Sequence, residues 1–252
     1  YQQLKDRQQE AALFGGLGAA YLTLGDNRKA IEFSEQFLKL AREIGDRSSM
    51  GQALGNLGMA YKTLSEYAKA IEFHTSALAI MRELKNRQGE GRTLGNLGSA
   101  YEGLGDYDKA IASYQQSLTL AREVGDRLAE GTALGKLGAT YANLGESDKA
   151  IEFYQQSLSV AQAIDDTLGE AYTLRNLGIA YQIQQDLTKA TEYYKKALSI
   201  TRDIGDRKLE AETLSSLGLA YEDLKDYDKA IAHQQQSLSL AREIGDRRLQ
   251  GV

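Results

Sequence analysis

The sequence has no cysteine, no proline and no tryptophan, and only two histidines in 252 residues. Without cysteine there are no disulfides, no thiolate nucleophile and no zinc–thiolate site, and the redox compartment stays open. Without proline, a chain of this length reads as almost wholly helical, because an interior proline costs a helix roughly 3 kcal/mol. No apolar run approaches the roughly 18 residues of a membrane span, and no leader segment is recognisable. A cytoplasmic location and no membrane partner are therefore expected. Lys and Arg number 30 against 35 Asp and Glu, for a net charge of -5. That balance argues against a phosphate-backbone binder, so no nucleic-acid partner is expected. The sequence starts at Tyr1 rather than Met and reads as an excised piece of a longer chain.

What is present is one unit copied. Stepping by forty from Gly98 gives Gly18, Gly58, Gly138, Gly178 and Gly218. The same step carries Tyr21 to Tyr221, Ala30 to Ala230 and Leu38 to Leu238 without a slip. Within one unit, Leu94, Leu97, Tyr101 and Leu104 fall at i, i+3, i+7 and i+10. Tyr107, Ala110, Ile111, Tyr114, Leu118 and Ala121 form a second helical stripe. Gly105-Asp106 separates the two stripes, and Gly125-Asp126 separates units. Glycine suits the left-handed residue past a helix, and Asp the next N-cap. The unit-boundary cap recurs as Asp6, Asp46, Asn86, Asp126, Asp166, Asp206 and Asp246. Lys5, Lys85 and Asp165 replace the glycine, so those turns are expected to be slightly strained or differently shaped.

Each unit is thus a helix A, a tight turn, a helix B and a tight turn. The expected organisation is a single array over 1–252. Residues 1–5 end a preceding helix B. Helix pairs follow at about 6–45, 46–85, 86–125, 126–165, 166–205 and 206–245, and 246–252 opens a truncated seventh unit.

The phrases L-x2-L-G-x2-Y (Leu94, Leu97, Gly98, Tyr101) and A-x3-Y (Ala110, Tyr114) resemble the tetratricopeptide repeat signature, six times over. Leu, or Phe14 in the first unit, stands where that signature has Trp. Arg122 and its equivalents stand where it has Pro, and the period is forty rather than 34. The longer period is similar to that of Pins-type (Leu-Gly-Asn) polarity adaptors. Phrases such as YQQSLTLAREVGDR are similar to tandem arrays of filamentous cyanobacteria. The resemblance implies an all-α, right-handed superhelical solenoid of about six repeats, with helix A lining a concave side.

Glycine-rich GRTLGNLGSAY (91–101) is not a phosphate loop. Its spacing is G-x3-G-x2-G, and no strand precedes it. GTALGKL (131–137) is one residue short of the Walker pattern, with Leu137 where a magnesium-binding hydroxyl belongs. The Gly98 series is expected to let helix A approach helix B near Ala110. The Gly95 series is expected to bare the concave backbone, while Gly91 has no evident reason.

On the geometry that the resemblance implies, the concave groove is lined by Gln52, Asn56, Met59, Arg92, Asn96, Ser99, Lys136, Tyr172, Arg175, Asn176 and Ile179. The Asn series would bond a partner's main chain, Arg92, Lys136 and Arg175 would give specificity, and Met59, Ile179 and Leu219 burial. The alternative is that these small residues only ease stacking. The fifth unit departs most, through Tyr172, Arg175, Ile179, Gln182, Ile183 and Thr191, by partner contact or by drift. His74 and His233 lie in distant units and cannot form a metal site or dyad. The carboxylates recur as caps with no apolar cleft to raise a pKa. No enzyme activity, catalytic residue, metal or cofactor is expected. Three functions remain: a scaffold binding a peptide or protein segment, within a larger signalling or adaptor protein; an architectural module self-associating end to end through Leu238, Leu240 and Ile244; and a sensor array regulating a fused effector domain.

Overall fold

The computed structural model describes residues 2–246, the side chains of Gln2, Gln3 and Lys5 excepted. Among the described residues there are twelve α-helices and no strand. In order they are α1 (Gln2–Leu24), α2 (Asn27–Ile44), α3 (Arg47–Thr63), α4 (Tyr67–Glu83), α5 (Arg87–Leu104), α6 (Tyr107–Val124), α7 (Arg127–Asn143), α8 (Ser147–Ala163), α9 (Thr167–Ile183), α10 (Leu187–Ile204), α11 (Arg207–Asp223) and α12 (Tyr227–Glu243). The odd helices are the A helices and the even ones the B helices, so the fold is the all-α repeat array of about six pairs that the periodicity predicts. Two compact units divide it, Tyr1–Ala129 and Glu130–Val252.

The turns form as the caps dictate. Asp26, Asp106, Asp186 and Asp226 each accept a backbone N–H three residues on at the start of a B helix, as Asp46, Asn86, Asp166 and Asp206 do at the start of an A helix. At the other end, Asp106 N–H donates to the Tyr101 carbonyl and Gly105 N–H to that of Glu102, both at 3.0 Å, which closes the helix on a left-handed residue. Lys85 and Asp165 take that role at φ 53° and 56°, and Ser65, Gln185 and Lys225 do so at 60–63°. A side chain there forgoes glycine's freedom, so five turns carry local strain; of the three foreseen, those at Lys85 and Asp165 are among them.

The first boundary differs from expectation. α1 runs unbroken from Gln2 through Lys5 and Asp6, so Asp6 does not cap a new helix. A turn at Lys5 would need a left-handed residue and a packed preceding helix, and the helix-favouring run QQLKDRQQEAAL continues instead. The expected seventh unit falls on residues 247–252, outside the described residues.

Each unit has its own core. In the first, Phe37, Leu54, Leu57, Ile80 and Met81 pack together, as do Leu78, Leu94, Leu97 and Leu120. In the second, Ile151, Tyr154, Leu177, Tyr194, Leu214 and Leu217 form one cluster. Burying each such side chain contributes about 1.5–3 kcal/mol. Aromatic stacks tie A to B within a pair: Tyr61–Phe73 at 5.3 Å, Tyr141–Phe153 at 5.4 Å and Tyr181–Tyr193 at 5.3 Å. A lysine sits over the Tyr ring in each repeat, such as Lys69 over Tyr61 at 4.9 Å.

The Gly98 series is a packing device, and its nearest neighbour is the residue sixteen positions on; at Gly18 the carbonyl of Ala30, the Ala110 position, also lies 3.7 Å from a would-be Cβ. A Cβ at Gly98 would lie 2.7 Å from the Tyr114 ring. Gly58, Gly138 and Gly178 meet His74, Tyr154 and Tyr194 at 2.5–2.7 Å in the same way. Without the glycine, the buried ring of helix B could not lie against helix A.

Candidate functional site

Helical spacing puts Gln52, Asn56 and Met59 on one face of α3, at i, i+4 and i+7. Arg92, Asn96 and Ser99 share the matching face of α5, and Tyr172, Asn176 and Ile179 that of α9. The opposite faces carry the buried Leu54, Leu57, Leu94, Leu97, Leu174 and Leu177. Gln52, Met59, Arg92, Lys136 and Tyr172 are exposed, and Asn56, Asn96, Ser99, Arg175, Asn176 and Ile179 are half-buried. The predicted set therefore lies on the solvent-facing stripe of the A helices, within each unit.

The amides of Asn56, Asn96 and Asn176 make no hydrogen bond among the described residues. Each has two donors and an acceptor to offer. Gly55 and Gly16 lie on the same stripe, and a Cβ at either would meet nothing within 4 Å. A helix-interior glycine forgoes about 1 kcal/mol relative to Ala, and at these two positions no contact among the described residues offsets it. The rest of the Gly95 series departs from expectation. Phe37 fills the space at Gly15, 2.8 Å from a would-be Cβ, and Ser117 Oγ and Ser157 Oγ stand 3.5 and 3.4 Å from those of Gly95 and Gly135. These positions face helix B as much as solvent, because they sit a turn before the Gly98 position on the inner edge of the stripe.

Several predicted residues are engaged within the chain. Ser99 Oγ is 3.0 Å from Tyr114 Oη, which donates to Glu102 at 3.0 Å. Arg92 lies close enough to Asp126 for its charge to help lower that carboxyl. The larger causes are the Ala129 N–H and the Gln88 side chain bonded to Asp126. Arg175 pairs with Glu212 of the next A helix at 3.8 Å, and its Nε is buried without a partner. Burial raises the Tyr172 hydroxyl above its usual value, and the charges of Asp206 and Glu212 add to this. Gln182 donates to Asp223 at 2.6 Å and accepts from Tyr194 Oη at 2.9 Å. Two of the fifth unit's departures, Arg175 and Gln182, thus knit α9 to its neighbours.

Sequence reasoning missed the joints between repeats. Glu90 is 7% exposed and held by Arg82 of the preceding repeat at 2.8 Å and by Arg87 at 3.2 Å. Glu210 repeats this with Arg202 at 2.9 Å and Arg207 at 3.3 Å. The Arg in place of the signature's Pro is therefore a clamp, and the recurring R-E/D-x-x-D/N-R-x-x-E phrase was its signal. Gly91 also acquires a reason: helix B lies so close that a Cβ there would stand 3.3 Å from the Leu120 Cβ, and Ser117 Oγ donates to the Gly91 carbonyl at 2.8 Å. His74, fully buried, has both ring nitrogens unpartnered, and burial above all, with the nearby Lys62, pushes its pKa down to about 4. Burial also lowers His233, with help from Arg202 and Lys195. Of the three residues expected on the free final face, Leu240 is buried within its own unit, since its stripe faces α11. Leu238 is half-buried and Ile244 exposed. No group of three or more His, Asp or Glu could hold a metal ion among the described residues. Nor is any helix there long and apolar enough to cross a membrane.

The tetratricopeptide repeat model matches residues 8–83, 89–163 and 169–243. No curated protein matches the sequence. Among solved structures the chain is similar to BtubC from P. vanneervenii, with 21% identity over 87% of this chain and 92% of that one and a TM-score of 0.77. It is also similar to a signal transduction ATPase with numerous domains and a tetratricopeptide repeat sensor, from Pyrococcus horikoshii. There identity is 19% over 98% of this chain and 40% of that one, with a TM-score of 0.80. A Rap protein complexed with Competence and Sporulation Factor is 13% identical over 96% of this chain and 79% of that one, with a TM-score of 0.71. At these identities the likeness is one of fold.

Proposed function

The chain belongs to the tetratricopeptide repeat family, and from that premise we propose that it is a protein-interaction scaffold holding a peptide or protein segment against the solvent face of its A helices. The observation that carries this is the repeated unbonded asparagine amide, Asn56, Asn96 and Asn176, on a face where Gly16 and Gly55 have open space above them. An extended segment brings its own unsatisfied N–H and C=O groups, which such amides match. Glycine lets that backbone come close. Met59 and Ile179 supply apolar contact, and Gln52, Arg92, Ser99, Lys136, Tyr172 and Arg175 supply selectivity. The complex of the similarly folded Rap protein is in keeping with this use of the fold. The test is affinity capture with this chain as bait, followed by titration of the captured segment. Asn56→Ala with Asn96→Ala, or Asn176→Ala, should weaken binding about tenfold, as loss of one or two hydrogen bonds predicts. Unchanged affinity in both would sink the groove mechanism.

A second reading, self-association, has its own observation. Leu13 and Leu17 lie exposed on one side of α1, at 69% and 40% exposure. Their equivalents Ala53 and Leu57 in α3 are buried against the preceding repeat. A mass that stays monomeric by light scattering at rising concentration would count against it.

A further inference from the structure

We propose that the unit Tyr1–Ala129 carries a second binding groove, between α2 and α4, for an acidic residue flanked by apolar side chains in a partner polypeptide. The starting point is the repeat joint. At the α4–α5 and α10–α11 joints the chain builds the same seat: two arginines, one from each side, hold one largely buried carboxylate, that of Glu90 or Glu210. At the α2–α3 joint the arginines are present as Arg42 and Arg47, but Met50 stands where the glutamate belongs. Arg47 turns to Glu83 and touches the Met50 sulfur at 3.9 Å. Arg42 is left with no side-chain partner among the described residues, and so is Lys39, one turn before it on α2. Both are exposed.

These two cations border a groove of about 440 Å³. Leu38 and Phe73 line its wall and Leu57 of α3 its floor. Of the two acids beside it, Glu43 is already paired with Arg7 at 2.5 Å. The other, Glu35, lies two helical turns from Arg42 and disfavours a second carboxylate at that end. Charge complementarity therefore selects a single acid, and the apolar floor selects leucine-like neighbours. The chain itself supplies the precedent for the contact, since a carboxylate between arginines is what the α4–α5 and α10–α11 joints contain. This groove is formed on the B-helix side and shares no residue with the A-helix stripe, so it stands or falls independently of the proposed function.

The test is fluorescence polarisation with a labelled octapeptide that carries one glutamate flanked on both sides by leucine, with serine and glycine elsewhere. Four forms of the whole chain are compared: unaltered, Lys39→Ala with Arg42→Ala, Met50→Glu, and Asn56→Ala with Asn96→Ala. The proposal expects saturable binding to the unaltered chain, about tenfold weaker on removal of the two cations. Met50→Glu supplies the missing carboxylate from within, so it should block the peptide while keeping or raising the melting temperature. The asparagine variant should bind as the unaltered chain does, and an octapeptide with glutamine for glutamate should not bind. Octanoate replaces the peptide in a competition arm, and effective displacement by it would reassign the groove to a small carboxylate and overturn the polypeptide partner. Absence of saturable binding, or undiminished binding to the variant lacking Lys39 and Arg42, would overturn the groove itself. The latter comparison holds even if Met50→Glu does not fold.

Discussion

Ser117 of α6 donates its hydroxyl to the carbonyl oxygen of Gly91 in α5, 2.8 Å away and 26 residues upstream. Ser157 and Ser237 do the same to Gly131 and Ala211, at 3.0 and 2.7 Å. The contact requires helix B to lie close, and a Cβ at Gly91 would already stand 3.3 Å from the Leu120 Cβ. Gly91→Leu should therefore lower stability by about 1–3 kcal/mol, as overpacking does. Ser117→Ala should lower it by about 1 kcal/mol, a small change because Ala77 and Ala197 occupy the same position elsewhere. Urea denaturation of both variants measures the difference.

The two glycine series separate by the sign of one substitution. Gly98→Ala places a methyl 2.7 Å from the buried Tyr114 ring and should destabilise by about 1–3 kcal/mol. Gly55→Ala places it in open space and should stabilise by up to about 1 kcal/mol through helix propensity. Thermal melts of the pair check this, and equal signs would show that the helices are not packed as described.

Much of this was readable in the chain, because forty-residue periodicity, helical stripes and Asp caps are local signals. The helices and their pairing follow from Leu94, Leu97, Tyr101 and their repeats without any coordinates. What was not readable needs distance across the fold. Nothing local says that Gly98 meets Tyr114 most closely, that Phe37 fills the space at Gly15, or that Arg175 reaches Glu212. The continuous α1 was missed for the opposite reason: a cap motif at Asp6 is only permissive, and without a turn residue at Lys5 the helix runs on.

Glu90 between Arg82 and Arg87 should behave as a joint between repeats. The carboxylate is buried but both guanidinium groups are half exposed, so screening limits the effect. Glu90→Gln should lower stability by about 1 kcal/mol, and the difference should shrink in high salt. Hydrogen exchange of α5 in the two forms locates the loss.

His74 makes stability fall in mild acid. Its pKa in the fold is about 4 against 6.5 when exposed, so below pH 6.5 the unfolded chain takes up a proton that the folded one refuses. The stabilisation is complete above pH 6.5 and is lost as pH falls towards 4, by roughly 1–2 kcal/mol between pH 7 and pH 5. His74→Gln places in α4 the residue found at Gln234, which donates to the Ser215 carbonyl at 3.2 Å. That variant should lose this share of the pH dependence. His233 titrates in the same direction and remains as background.

The central claim is that partners are held on the A-helix stripe. The most direct measurement is calorimetric titration of a captured partner segment into the unaltered chain and into Asn56→Ala with Asn96→Ala. The account predicts about tenfold weaker binding for the variant with unchanged thermal stability. Equal affinity, with protection from hydrogen exchange confined to α2, α4 and α6, would contradict it.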